Sequence, residues 1–272
     1  MLFDYFGRGY SDAPTNVHDV NLYLTQILLV LSSSEIPWTG NKSFSIVGYS
    51  FGGALSMALA EYFPNLIDSI TLVAPSGLVR DYHVGWQARL IYQGGWLPGD
   101  IRRSLVKRRL YIPPPPASPF DQNGTFRVGS SDATSGPDYD YAAISKKTPA
   151  VTVSDVLNWQ ITNHPGFVDA FISCINYAPI FNQNDSWTSV GNTLRERRQA
   201  DTTDTGTNKV LLILGTSDPS IVTEEIIADA TASLGEDGVN LIVLDGGHEI
   251  AITQGVKIAD ILSSHLVAST DQ

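Results

Sequence analysis

Along the first third of the chain, short β-branched apolar runs alternate with longer segments whose apolar residues recur every three or four positions. Residues 17–31 carry Val20, Leu24, Ile27, Leu28 and Leu31 at this spacing and predict a helix. Residues 2–4 read as the end of a strand, 43–47 as a buried strand and 67–74 as another. Between the last two, residues 54–63 predict a helix that Pro64 stops, because proline has no amide hydrogen to donate. The last quarter repeats the theme: strands at 210–214 and 239–244, helices at 223–234 and 251–266. Strands alternating with helices call for an α/β fold, a mostly parallel sheet with helices on both faces.

The middle breaks this rhythm. Residues 79–208 contain a proline run at Pro113–Pro116, a Gly/Ser/Asp-rich stretch at 129–140 and a polar tether at 201–208. Helical candidates lie among them at 101–111, 154–160 and 167–175. An insertion of about 130 residues between two strands is far longer than an ordinary connection and reads as a helical cap or lid. The expected organisation is therefore a core of residues 1–78 and 209–272, with a cap at 79–208. No repeat at solenoid periods is visible.

Composition narrows the class. Of 272 residues, 43% are hydrophobic and 17% charged, enough for a packed core and too little charge for a disordered chain. The net charge of −11 argues against a nucleic-acid partner, whose phosphates need a basic face, and weakens the case for anionic membranes. A single cysteine, Cys174, excludes a disulfide framework and a cysteine zinc site. The longest apolar run, 27–31, is too short to span a bilayer, and residues 1–12 lack the layout of a signal peptide. The expectation is a cytoplasmic protein without stable membrane insertion, in which the sequons at Asn41, Asn123 and Asn184 carry no meaning.

The chemistry concentrates in Phe44-Ser45-Ile46-Val47-Gly48-Tyr49-Ser50-Phe51-Gly52-Gly53-Ala54. Gly48, Ser50 and Gly52 form Gly-x-Ser-x-Gly, with an apolar strand before and a helix after. A tight strand-to-helix turn strains the serine backbone and lifts its hydroxyl above the sheet, and glycines two positions either side are expected to avoid a collision. The Phe51 amide then sits at a helix N-terminus, suited to donate to a developing oxyanion. A glycine-rich turn with an ordinary serine would share the triplet; the flanking strand and helix favour a nucleophile.

Together with Asp4-Tyr5-Phe6-Gly7-Arg8-Gly9-Tyr10-Ser11-Asp12, an Asp-x-x-Gly-x-Gly-x-Ser turn, the chain resembles the α/β-hydrolase fold superfamily over residues 1–78 and 209–267. The resemblance implies a triad in the order nucleophile, acid, histidine. Leu211-Leu212-Ile213-Leu214-Gly215-Thr216-Ser217-Asp218-Pro219 then supplies Asp218 as the acid, although a turn or N-cap aspartate would occupy the same place. Leu241-Ile242-Val243-Leu244-Asp245-Gly246-Gly247-His248-Glu249 supplies His248 as general acid/base. His18 and His265 lie on predicted helices as surface or packing residues, and His83 and His164 fall in the insertion. Asp245 and Glu249 are expected to be solvated loop charges. Epoxide hydrolases and haloalkane dehalogenases of this fold use an aspartate nucleophile, so Ser50 points instead to attack on an acyl carbon.

The superfamily normally has three strands before the one ending at Asp4, and a His-Gly loop among them supplies a second oxyanion amide. The resemblance therefore implies an N-terminally incomplete fold with Phe51 as the only inherited donor, a loss worth about 3–4 kcal/mol of transition-state stabilisation. It also implies a 2–4 strand left unpaired or forced against the 43–47 strand, and an exposed apolar edge.

The insertion is rich in aromatics: Tyr82, Trp86, Tyr92, Trp96, Trp159, Phe167, Phe171, Tyr177 and Phe181. They would suit either a bulky apolar substrate or the cap's own core. Residues 101–110 hold five of the 17 basic side chains, a solvated helix face or a dock for an anionic group. The reading is a serine hydrolase acting on an ester, thioester or related acyl group of a small molecule, with no metal or organic cofactor implied. The alternative keeps the fold without hydrolysis, as a binding or tailoring protein in small-molecule biosynthesis or a truncated inactive form.

Overall fold

The apolar runs become strands that pair in chain order. In the computed structural model, which describes residues 2–38, 43–93, 97–113, 137–200 and 208–267, β1 (Phe44–Tyr49), β2 (Ile67–Val73), β3 (Val210–Gly215) and β4 (Val239–Leu244) form one sheet in the order β1-β2-β3-β4. All three pairings are parallel, with Gly48 opposite Leu72, Leu72 opposite Leu212, and Leu212 opposite Leu241. A parallel sheet brings every strand's C-terminal end to one side, so the loops that follow β1, β2, β3 and β4 meet there.

Periodicity of two sorts the core. Along β3, Val210, Leu212 and Leu214 enter one apolar cluster, while Leu211 and Ile213 enter another on the opposite face. The first cluster takes Leu24 from α1 (Val20–Ser32) and Met57 and Leu59 from α2 (Phe51–Tyr62). α1 begins where the Asp19 carboxylate accepts from the Leu22 amide, and α2 ends at Phe63, before Pro64.

The insertion contains α3 (Trp86–Gln93), α4 (Gly99–Leu110), the single turn α5 (Pro137–Asp140), α6 (Val153–Asn163), α7 (Phe167–Tyr177) and α8 (Asn184–Ala200). Two kinds of packing divide it. α3, α4, α6 and α7 share a core of their own, built on Tyr92, Val106, Leu110, Ile161, Phe167 and Ile172. α8 instead sends Trp187, Val190 and Leu194 into the main core under the sheet. Of the aromatics between β2 and β3, Tyr92, Phe167 and Phe171 serve the core that α3, α4, α6 and α7 share, whereas Tyr82, Trp86 and Tyr177 are exposed. Trp96, the proline run at 114–116, the stretch 129–136 and the tether at 201–207 lie outside the described residues, as do Asn41 and Asn123.

After β3 come α9 (Thr223–Leu234), α10 (Ile250–Thr253) and α11 (Gly255–Val267). Ile250 and Ile258 close the second cluster with Val73 and Leu244. The single helix expected at 251–266 is thus two, broken at Gln254, whose backbone leaves the helical range at φ −113°, ψ 23°.

One expectation fails outright. Residues 2–4 form no strand and do not pair with β1. A side chain satisfies this segment's backbone in place of a ladder: the Phe6 amide donates to Gln26 Oε1 at 2.9 Å, and Gln26 Nε2 donates to the Asp4 carbonyl at 3.0 Å. Gln26 is buried on α1 to do so. Among the described residues, no helix is long and apolar enough to cross a membrane.

Candidate active site

A tight bend in the backbone joins β1 to α2. Ser50 occupies it at φ 51°, ψ −121°, a conformation that L-residues rarely adopt. Three backbone hydrogen bonds hold it there. Its amide donates to the Val73 carbonyl at 3.0 Å, and its own carbonyl accepts from the amides of Gly53 at 2.9 Å and Ser76 at 3.0 Å. Gly48 is required by contact: a Cβ there would lie 2.5 Å from the Gly52 carbonyl oxygen and 2.5 Å from Ser56 Oγ. Gly52 departs from expectation, because a Cβ on it would point into open space. The second crowded glycine is Gly53, whose Cβ would meet that of Pro75 at 2.5 Å.

The loops after β3 and β4 are laced together. Thr216 donates its amide to the Leu244 carbonyl and Ser217 donates to that of Gly246, at 2.9 and 3.0 Å. This lacing brings Asp218 and His248 side by side. His248 Nδ1 lies 2.7 Å from Asp218 Oδ2, and His248 Nε2 lies 2.9 Å from Ser50 Oγ. A carboxylate can only accept, so Nδ1 carries the proton and Nε2 is left to accept from the serine hydroxyl. Asp218 and His248 are buried, while Ser50 keeps partial access to solvent.

The other oxygen of Asp218, Oδ1, accepts from the Ser220 amide at 2.8 Å and the Ser220 hydroxyl at 2.6 Å. Burial alone would raise the Asp218 carboxyl. The hydrogen bonds and charge of His248, with the bonds from Ser220, outweigh it and leave the group below its ordinary value. Tyr49 donates its hydroxyl to the His248 carbonyl at 2.7 Å, and its ring lies 5.3 Å from the imidazole. Tyr139, on α5, packs its ring edge-on against the same imidazole, also at 5.3 Å. The Phe51 amide opens α2, and its ring rests against Tyr23 and Tyr5. The arrangement can deprotonate a serine hydroxyl, stabilise the imidazolium that results, and present a helix N-terminus to a nascent oxyanion.

A family model described as alpha/beta hydrolase fold matches residues 1–105. Solved structures align along nearly the whole chain. An enol-lactonase from Burkholderia xenovorans is 13% identical, with a TM-score of 0.57 over 97% of this chain and 79% of its own. A 2-hydroxy-6-oxo-6-phenylhexa-2,4-dienoate hydrolase from Rhodococcus is 18% identical, with a TM-score of 0.56 over 97% and 78%. This chain has the α/β-hydrolase fold. Among curated relatives, uncharacterized proteins of Mycobacterium tuberculosis and Mycobacterium bovis are 30% identical over 103 residues, which is 38% of this chain and 29% of theirs. The matched stretch spans less than a third of those relatives.

Within this α/β-hydrolase fold the other histidines stand apart from the Ser50–His248 contact. His18 precedes α1 rather than lying on it and is fully buried, with Nδ1 3.1 Å from the Tyr23 hydroxyl and Nε2 3.2 Å from the Pro14 carbonyl oxygen. A surface role for it is excluded. His83 pairs with Glu225 at 2.7 Å, and His164 contacts the Ser11 carbonyl oxygen at 2.8 Å. Asp245 is exposed, but Glu249 corrects the expectation of a solvated charge: it is buried, with Oε1 accepting from the Gly247 amide at 2.8 Å to brace the turn that carries His248.

Sequence reasoning passed over Ser220, Tyr49 and Tyr139. The spacing Asp218-Pro219-Ser220 does carry a signal, an aspartate whose side chain accepts from the residue two positions on. Tyr49 was visible only as the filler of a motif. Tyr139 had no signal, since it sits at the end of a compositionally biased stretch.

Proposed function

We propose that this chain is a serine hydrolase acting on an ester, thioester or related acyl bond of a small molecule. Ser50 Oγ attacks the acyl carbon as His248 Nε2 takes its proton. The Phe51 amide and the N-terminus of α2 stabilise the resulting oxyanion. His248 then returns the proton to the leaving group, and a water activated by the same imidazole releases the acyl group from Ser50. Asp218 holds the Nδ1–H tautomer throughout, and Ser220 keeps that carboxylate aimed.

The observation that carries this reading is the unbroken series of contacts Asp218–His248–Ser50, at 2.7 and 2.9 Å, ending on a serine held at positive φ. The fold neighbours include an enol-lactonase and a protein from a study of carboxylesterases, both consistent with acyl chemistry. The Tyr139 ring beside His248 gives the site an aromatic wall that favours an apolar acyl group. Hydrolysis of p-nitrophenyl esters of graded acyl length tests the proposal. Turnover should peak at an intermediate or long chain and fall to background in Ser50→Ala; undiminished turnover in that variant overturns the assignment.

A further inference from the structure

Two tyrosines that the acid–base steps do not use converge on His248 from opposite parts of the fold. Tyr49 comes from the core, the residue just before Ser50, and ties its hydroxyl to the His248 main chain at 2.7 Å. Tyr139 comes from the cap, with its ring edge against the imidazole. Burial pushes both phenols above their ordinary value, so both stay neutral donors at any working pH.

The placement of Tyr139 is built into the cap. A short antiparallel pairing, Ile144 amide to Val151 carbonyl and Val153 amide to Ala142 carbonyl, straps the turn after α5 to the start of α6. α6 is fixed in turn by a capping box in which Thr152 and Asp155 exchange hydrogen bonds. The Ala142 amide closes α5 on the Tyr139 carbonyl. The ring that touches His248 is thereby carried by a turn strapped to α6 through backbone hydrogen bonds.

We propose that Tyr49 and Tyr139 clamp His248 between core and cap, so that the seating of the cap sets the orientation of the imidazole toward Ser50. Both are positioning residues. Tyr49 fixes the loop that carries the imidazole, and Tyr139 walls the ring face-to-edge and shields it from water. The inference rests on the serine-hydrolase reading for its kinetic consequence, but the clamp itself is a statement about His248.

The test uses Tyr139→Ala, Tyr139→Phe and Tyr49→Phe in the full chain, each checked for a wild-type melting temperature within a few degrees. With p-nitrophenyl acetate, a substrate too small to need the cap, Tyr139→Ala should lower kcat at least roughly tenfold with KM within about threefold, because only the reacting geometry is disturbed. Tyr139→Phe should recover most of that loss, and Tyr49→Phe should lower kcat several-fold. The imidazole Nδ1 proton, followed by proton NMR in all four proteins, reports on the clamp without any turnover. It should exchange with solvent measurably faster in Tyr139→Ala than in the parent. Unchanged proton exchange, or a loss confined to KM, overturns the clamp. Failure of the parent protein to hydrolyse any ester while its Nδ1 proton responds to Tyr139→Ala would instead refute the hydrolase reading and leave the clamp standing.

Discussion

The sheet core and the cap make opposite use of the same alphabet. In the core, β3 is buried at all six positions, and backbone hydrogen bonds tie the loop beyond β1 to that beyond β2 and the loop beyond β3 to that beyond β4. In the cap, a smaller apolar cluster joins four helices, and the side chains outside it, such as Trp86 at 69% exposure, remain in solvent. The core places Ser50, Asp218 and His248 to within hydrogen-bonding distance. The cap reaches that constellation through Tyr139, one residue on a single-turn helix. The three reacting groups therefore belong to the sheet half of the molecule, and the other half meets them at the imidazole through one ring.

The widest separation between the halves should come from Asp218→Asn. The amide cannot hold the imidazole tautomer, and kcat should fall by about 10⁴-fold while the cap and fold are untouched. The same carboxyl also sets an acid limit. Its value in the folded protein is lowered, so its contribution to stability is full above the ordinary carboxylate value and disappears as pH falls through the lowered one. Denaturation of parent and Asp218→Asn protein should accordingly differ at pH 7 and converge in strong acid.

Core deletions come next. Leu212→Ala removes a fully buried side chain from the main cluster and should destabilise the whole protein by about 2–5 kcal/mol in a denaturant titration. Phe167→Ala removes a comparably buried ring from the cap core. If the two halves differ as described, hydrogen exchange will quicken across α3, α4, α6 and α7 in that variant with protection in β2 and β3 unchanged. Equal loss of protection in the sheet would show one cooperative unit.

Two glycines separate steric need from motif habit. Gly48→Ala forces a methyl group against the Gly52 carbonyl and should destabilise by about 1–3 kcal/mol, whereas Gly52→Ala meets open space and should be neutral or gain up to about 1 kcal/mol from helix propensity. Among the losses the smallest is Thr152→Ala, which removes the cap of α6 and should lower stability by about 1 kcal/mol, with its activity effect running through Tyr139.

The unequal legibility of the chain follows from the same division. Strands buried on both faces and helices with one apolar stripe announce themselves, which is why β2, β3, β4, α2 and α9 lay within a residue or a few of their expected bounds. The 2–4 segment misled because an apolar run next to a glycine turn looks like a strand end, while its actual partner is one buried glutamine on α1. α8 was passed over because it is largely polar, and α3 because eight residues are too few to show a helical period. In α8 only Trp187, Val190 and Leu194 mark the buried side. The Gly-x-Ser-x-Gly motif located the bend but not the reason for its second glycine. Nothing local could locate Tyr139, since its meaning lies in a contact with a residue more than a hundred positions away.

The central claim is that His248 activates Ser50. Reaction with a fluorophosphonate probe, followed by intact-mass and peptide mass spectrometry in parent and His248→Ala protein, tests it most directly. A single phosphonyl adduct on Ser50 that forms at least about a thousandfold more slowly without the imidazole is the predicted result. A parent protein that takes no adduct at Ser50, or one labelled equally fast after His248→Ala, would contradict it.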